Sequence, residues 1–482
     1  MPDVILLDPN PGVKNSRPQL GTLHLAAMLL QSGISVELID FSVRNNSIKL
    51  LEKFLESDVV CVGISTMIGP MLAHGLELAR IVRKQRPDVP IVWGGIHPTT
   101  APGSTLKHQL VDAVCIGEGE TTFVHMVEAY RNGHKLHDIP GIGFKEHGNL
   151  HFTPPREAYF DLNMLPPLPY HLIDLSLYKN PSKARDDFFR LKGKQILSIE
   201  TSRGCPFRCT YCVHSARPQK FRTMSPGKVL QSIEDIVNQG VNSITINDDN
   251  FFVNRKRASE IMQAVNKKKY DIDIFVAVRS DYLSSIDKSD FELMKAAGIT
   301  LLGIGVESGS DRMLEKIKKN ETIEKTFAAN RQLAKFGINA IFHFIYGFPG
   351  ETKGDFTLTF KAMHQILQEN PSYARVNLNR LIPNPGSESF QECVAEGWKP
   401  PDTIEQWADI MRRIWRRTPV YMDAELARWI DPLKSIKFPT NMLPGLEQIE
   451  FAYKYRLLTI PLRYLRKIPK YIIRKLRHLI KK

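Results

Sequence analysis

Cys205, Cys209 and Cys212 stand within eight residues of one another, in the stretch Glu200-Thr-Ser-Arg-Gly-Cys-Pro-Phe-Arg-Cys-Thr-Tyr-Cys212, directly after an apolar run that reads as a strand. Thiolates at this C-x3-C-x2-C spacing can ligate a metal centre. An iron–sulfur cube normally takes four thiolates. Three hold it and leave one iron open, where a small chelating molecule can bind and receive an electron. The plain alternative is a structural zinc knuckle, with His214 as fourth ligand. The position of the loop behind a strand, and Tyr211 ahead of the last cysteine, favour the cluster. The 6 cysteines are too few and too irregularly spaced for a disulfide framework, so a reducing compartment is expected.

Other residues able to do chemistry gather at the ends of apolar runs. Downstream of the cysteines these are Asp248-Asp249 after Ile244-Thr-Ile-Asn, Arg279 after Asp273–Val278, Glu307-Ser308 in Gly303-Ile-Gly-Val-Glu-Ser-Gly309, and Gly347 in Phe344-Ile-Tyr-Gly-Phe-Pro-Gly-Glu351. Upstream they are Asp8-Pro9-Asn10-Pro11-Gly12, Ser65-Thr66, Gly94-Gly95-Ile96-His97-Pro98 and Gly117-Glu118-Gly119-Glu120. Each has an ordinary reading too: Asp248-Asp249 can cap the next helix, and the glycines can serve turns.

The elements that must position these residues follow from the apolar pattern. Val4–Asp8, Val36–Asp40, Val59–Ser65, Ile91–Gly94 and Ala113–Ile116 read as buried parallel strands, with helical stretches near Leu20–Gln31, Ile48–Leu55, Met71–Gln85 and Thr121–Asn132. This alternation predicts an α/β fold with a doubly wound, Rossmann-like (flavodoxin-like) sheet over residues 1–145, whose ligand lies at the carboxyl ends of its strands. Residues 146–190 are rich in proline and read as a linker. A second series, Gln195–Glu200, Ser243–Asn247, Asp273–Val278, Leu301–Val306, Ala340–Tyr346 and Arg375–Leu381, predicts a partial (βα)6 TIM-type barrel over 191–400. Residues 401–482 read as a mostly helical extension.

With the elements in this order, residues of about 190–400 resemble the radical S-adenosylmethionine (SAM) superfamily. The resemblance implies a [4Fe–4S] cluster on Cys205, Cys209 and Cys212, with SAM chelating the open iron through its amino and carboxylate groups. Reductive cleavage of SAM then gives methionine and a 5′-deoxyadenosyl radical. By position in the same pattern, Tyr211, Asp248, Asp249, Arg279, Glu307, Ser308 and Gly347 are the implied SAM contacts.

The first domain, placed before such a barrel, resembles the cobalamin-binding domain of the B12-dependent radical SAM class, which includes methylases of unactivated carbons and the anaerobic porphyrin-ring cyclase. Asn10, Gly12, Ser65, Thr66, Gly94, Gly95, His97, Gly117, Glu118 and Gly119 are the implied cobalamin contacts. One departure stands out: B12 domains of the His-on kind carry Asp-x-His-x-x-Gly in the first strand–helix loop, and Asp8-Pro-Asn-Pro-Gly12 has no histidine. The lower axial position is therefore expected to be vacant or water-filled, with His97 as the alternative ligand. A flavodoxin-like domain with no cofactor is the plain alternative. Methylthiotransferases, which hold a second cluster on three N-terminal cysteines, do not fit, because only Cys61 and Cys115 precede the triad.

Charge and composition restrict partners. The formal net charge is +14, yet the segment from Phe451 to Lys482 carries 11 lysines and arginines and no acid, which leaves the remainder nearly neutral. That argues against a nucleic-acid surface spread over the fold. In the tail 451–482, Ile472, Ile473, Leu476, Leu479 and Ile480 recur at helical spacing opposite cations, the pattern of a helix lying in anionic headgroups; an RNA-gripping tail is the alternative. With no signal peptide or spanning stretch, the expected location is cytoplasmic, at the inner face of the membrane. The expected function is a cobalamin-dependent radical SAM enzyme, in its main form a methyltransferase, acting on a lipophilic or secondary-metabolite substrate. A flavodoxin or ferredoxin is the expected electron donor. The rival readings are cyclisation or rearrangement without methyl transfer, tRNA modification, and a non-catalytic metal-binding scaffold.

Overall fold

Val4–Asp8 is Val-Ile-Leu-Leu-Asp, an unbroken apolar run that only a strand covered on both faces can satisfy, and all five residues are buried. The computed structural model describes residues 2–10, 17–43, 47–156, 160–178, 191, 195–216, 220–416 and 419–430. The tail 451–482 and Gly12 lie outside the described residues.

The first sheet contains β1 (Val4–Asp8), β2 (Val36–Asp40), β3 (Cys61–Ser65), β4 (Ile91–Gly94), β5 (Ala113–Cys115), β6 (Ile142–Glu146) and β7 (Asn149–Phe152), in the order β2-β1-β3-β4-β5-β6-β7. The first five pair in parallel, and β6 and β7 add an antiparallel edge. Strand order reverses between β1 and β3, the switch point at which doubly wound sheets open a ligand crevice. The sheet runs past residue 145, because the turn at His147-Gly148 folds β7 back on β6.

The proline-rich stretch is irregular without being a free spacer. It forms three short 3-10 turns, and Leu162, Leu165 and Tyr170 enter the main apolar core. The Tyr178 hydroxyl donates to Asp40 at 3.1 Å, tying the segment back to β2.

The barrel begins at β8 (Leu197–Ile199). A two-residue antiparallel pair, β9 (Ser202–Arg203) with β10 (Arg222–Thr223), brackets the cysteine loop. Then come β11 (Ser243–Ile246), β12 (Asp273–Val278), β13 (Ile299–Glu307), β14 (Asn339–Tyr346) and β15 (Ala374–Arg380). Their order, β15-β14-β13-β12-β11-β8, is sequential, and every pairing is parallel. This is six βα units with one open side, as the apolar runs predict. Alternate residues diverge sharply. Ile274, Val276, Val278, Phe342 and Phe344 are buried in the core shared with the helices, whereas Phe275, Ala277, His343 and Ile345 are only half-buried because they face the lumen.

After the barrel, the helices Glu388–Ala395, Ile404–Ala408, Ile410–Arg416 and Ala424–Ile430 follow. Ile404, Trp407, Ile410 and Ile414 pack with Leu72, Leu76 and Trp93 of the first domain. Burying side chains of this size stabilises by about 1.5–3 kcal/mol each, so the extension straps the two domains together. No described helix is long and apolar enough to cross a membrane.

Candidate active site

The cysteine loop is held open by Asp248. Its carboxylate accepts from the Thr201 and Ser202 backbone N–H groups at 2.6 and 3.0 Å and from their hydroxyls at 2.5 and 2.6 Å. Arg257 donates to the Thr201 and Met224 carbonyls from the other side. Gly204, with φ +80°, then turns the chain into the loop. At its far end Thr210 pairs through backbone and hydroxyl with Ser389, and its N–H donates to Ile317. The loop is therefore clamped at both ends, and its thiols lie in partly dehydrated surroundings. Burial pushes the Cys212 thiol up to about 11 and raises Cys205 and Cys209, while the Phe207 and His214 N–H groups act the other way on Cys205 and Cys212. Ligation must release those protons.

Among the described residues, the one group of three with donor atoms within 4.8 Å of one another is His137, Glu146 and His151, remote in sequence from the loop. The fourth ligand that the zinc alternative needs is already engaged: His214 pairs with Asp249 at 2.9 Å.

The residues expected to hold SAM ring this loop. Asp248 is spent on the loop backbone, which makes it a positioning residue. Arg279 pairs with Glu321 and Asp281 at 3.1 Å each, and its guanidinium stacks 3.8 Å over Phe207 of the loop, so it braces the loop. Ser308 is buried against Thr359, and the Gly347 N–H donates to Glu351. Tyr211, Asp249 and Glu307 are engaged with other side chains near the loop, Asp249 with His214 and Tyr211 with Glu307. Glu307 ends β13 in the left-handed region at φ +71°, where the register with β14 shifts. A non-glycine residue held there is strained, and such strain gathers at functional sites. Glu307 pairs with Lys319 at 3.3 Å, and Tyr211 lies beside it. Sequence reasoning missed Lys319. Its one local signal is the unwound turn after the Asp311–Lys316 helix, where Lys318 and Asn320 take φ +54° and +55°.

A cavity of about 460 Å³ opens between the carboxyl ends of both sheets. From the first domain it is lined by Ser65, Gly94, Gly95, Gly117, Glu118 and Gly119, and also by Cys115, which sequence reasoning did not assign to it. From the barrel it is lined by Glu200, Ser202, Arg203, Gly204, His214, Asn247 and Asp249. The glycines matter sterically: a Cβ on Gly95, at φ +94°, would lie 2.7 Å from the Thr66 carbonyl oxygen. Three of the expected cobalamin contacts do not line it. The Asn10 N–H donates to His74 at 2.8 Å. Thr66 lies beneath Gly95, its hydroxyl buried without a partner. His97 is fully buried beside Trp407, their ring centroids 5.7 Å apart, and burial lowers its imidazole to about 4. The Ile96–Thr100 helical turn exposes Ile96 and turns His97 inward.

Arg203 joins the domains across the cavity wall. It pairs with Glu120 and Glu200 at 2.5 Å each and with Glu118 at 3.3 Å, while Arg222 also grips Glu118.

Comparison with known proteins agrees with this geometry. The sequence model of the radical SAM superfamily matches residues 199–363, and that of the B12 binding domain matches residues 13–127. The chain is a radical SAM enzyme with an N-terminal B12 binding domain. An uncharacterized methyltransferase of Pyrococcus horikoshii is 28% identical over 403 residues, covering 82% of this chain and 83% of the relative. The anaerobic magnesium-protoporphyrin IX monomethyl ester cyclase of Synechocystis sp. is 27% identical over 76% of this chain and 72% of its own. Among solved structures, the cobalamin-dependent SAM radical enzyme OxsB aligns over 95% of this chain and 71% of its own at TM-score 0.69 and 19% identity, a likeness of fold.

The two domains imply a [4Fe–4S] cluster, SAM and cobalamin, and the residues present fit all three. Three free cysteines on one clamped loop, and a crevice lined by Gly94, Gly95, Gly117 and Gly119 at the switch point, supply what these groups require.

Proposed function

We propose that the protein is a cobalamin-dependent radical SAM methyltransferase that acts on an unactivated carbon of a lipophilic small molecule. The observation that carries this is a cavity walled by both domains, with the flanks of the cysteine loop, Gly204, Val213 and His214, on one side and the glycine cradle on the other. When bound, the cluster and SAM supply a 5′-deoxyadenosyl radical and cobalamin carries the methyl group. In this reading Cys205, Cys209 and Cys212 ligate the cluster. Glu307, Lys319 and Tyr211 orient SAM, and Ser65, Gly94, Gly95 and Gly117–Gly119 let the corrin approach the backbone. Asp248 and Arg279 hold the loop still. With His97 turned into the core and no histidine in Asp8-Pro-Asn-Pro-Gly12, neither position would supply an imidazole to bound cobalamin.

The lipophilic character of the substrate draws on the hopanoid C-3 methylase of Methylococcus capsulatus, 25% identical over 77% of this chain and 68% of its own, and on the basic amphipathic tail 451–482, read as a peripheral membrane contact. A flavodoxin or ferredoxin serves as electron donor. The test is anaerobic turnover with a strong reductant and extracts of candidate lipids. S-adenosylhomocysteine together with 5′-deoxyadenosine is expected, and reconstituted protein that forms neither would refute the reading. The likeness to the anaerobic cyclases favours one alternative, cyclisation without methyl transfer, which predicts 5′-deoxyadenosine alone. Equal recovery of the full chain and of a chain ending at Phe451 in liposome flotation would remove the membrane contact.

A further inference from the structure

The barrel lumen contains a cation that the chemistry above leaves unused. Arg17 comes from the first domain, in the segment between β1 and the Leu20–Gln31 helix, and reaches across to the barrel. There its Nη1 donates to Thr245 Oγ1 at 2.7 Å. Thr245 faces the lumen, since Ile244 and Ile246 on either side of it lie in the outer core. The guanidinium is half-buried, and burial lowers its pKa with no acid acting against that. Among the described residues it has no carboxylate partner, unlike Arg203, Arg222, Arg279 and Arg312. Its other N–H donors have no protein partner among the described residues, and a guanidinium partly withdrawn from water gains when an anion joins it.

A second observation points to the same place. Ser198 pairs in register with Thr245 on the adjacent strand, and its neighbours Leu197 and Ile199 face the outer core, so Ser198 faces the lumen as well. Its hydroxyl is buried, with 3% of the residue exposed, and has no hydrogen-bond partner. A cation and a free hydroxyl therefore stand side by side on one wall of the lumen. That wall is the first two barrel strands, whose carboxyl-terminal extensions Glu200 and Asn247 line the cavity between the domains.

We propose that Arg17, with Ser198 and Thr245, binds an oxyanion of the substrate, so that the molecule to be modified carries a carboxylate or phosphate. This rests on the methyltransferase reading and narrows it: the substrate is amphiphilic, with its anionic end fixed low in the barrel and its reacting carbon presented upward to the cavity. Planar, forked donors suit either anion.

The test uses the cluster- and cobalamin-loaded full chain, titrated at low ionic strength with inorganic phosphate and pyrophosphate in one series and with acetate and hexanoate in another. Saturable binding in one series identifies the anion. Arg17→Gln should weaken it about tenfold or more, as loss of a charge-assisted contact does, Arg17→Lys should recover most of that, and Ser198→Ala should cost a few-fold. The proposal is overturned if Arg17→Gln binds these anions as the native chain does, if Arg17→Lys is as weak as Arg17→Gln, or if Arg17→Gln instead loses affinity for SAM or cobalamin. Anion binding needs no SAM cleavage, so native protein that binds the anions yet forms no 5′-deoxyadenosine fails the methyltransferase reading and leaves this one standing.

Discussion

Replacing Arg203 by Met should weaken the union of the two domains more than any surface ion pair could. Arg203 is 13% exposed, and Glu120 and Glu200, at 7% and 16%, both reach it at 2.5 Å. Methionine preserves the aliphatic bulk and strands the carboxylates in low-dielectric surroundings. Removing one partner of a buried pair costs about 3–5 kcal/mol, far above the roughly 0–1 kcal/mol of an exposed pair. The pH dependence fixes the cause. Burial pushes the Glu120 carboxyl up, and Arg203 more than reverses this, holding it below its ordinary value. The native pair therefore stabilises at neutral pH and loses that contribution as pH falls through the depressed folded pKa. In the variant the carboxyl rises instead, so its deficit is greatest near pH 7 and shrinks as acid neutralises Glu120. Equilibrium urea unfolding at pH 7 and pH 5, with R203M, E120Q and the double variant, reads this directly. The double variant should recover a coupling energy of about 1.5–3 kcal/mol. R203M unfolding within 1 kcal/mol of the native chain at pH 7, or a deficit unchanged by acid, would refute the reasoning.

Other outcomes follow from the same structure. Alanine at Cys205, Cys209 or Cys212 should lower bound iron and remove 5′-deoxyadenosine formation, read by iron assay and chromatography, with the fold kept by circular dichroism. Lys319→Met should raise the KM for SAM about tenfold or more by unpairing Glu307, while leaving the cobalamin spectrum unchanged. Gly95→Val should empty the cradle of cobalamin, since even a Cβ there meets the Thr66 carbonyl at 2.7 Å; visible absorbance after reconstitution reads it. His97→Phe should keep full cobalamin and remove an acid sensitivity. With the folded imidazole lowered to about 4 by burial, native stability declines as pH falls from about 6.5 toward that value, and phenylalanine abolishes this slope. Loss of cobalamin in His97→Phe would reinstate it as a ligand.

How much of this could be read from the residues depends on how local each interaction is. The barrel strands were legible because they are short, mostly apolar runs bounded by polar residues, as in Ile274 to Val278 and Ala340 to Tyr346. β7 was not, since Asn149-Leu-His-Phe is an edge strand with mixed exposure and no such run. The cysteine loop was legible from spacing alone, whereas the partners of Arg203 come from separate stretches of chain around Glu118, Glu120 and Glu200. His97 shows the opposite failure. Its neighbours Gly94, Gly95 and Ile96 do line the cavity, and only the helical turn that follows decides that the imidazole points away. Lys319 needed the strained carboxylate of Glu307 to be seen before it acquired a role.

The strap formed by Ile404, Trp407, Ile410 and Ile414 has a consequence for biosynthesis. The Pro70–Gln85 helix and Trp93 leave the ribosome about 300 residues before the segment that covers them. At roughly 5–20 residues per second, the nascent first domain waits on the order of tens of seconds with an apolar groove bare to the cell. A first domain expressed without residues 404–414 would leave that groove uncovered.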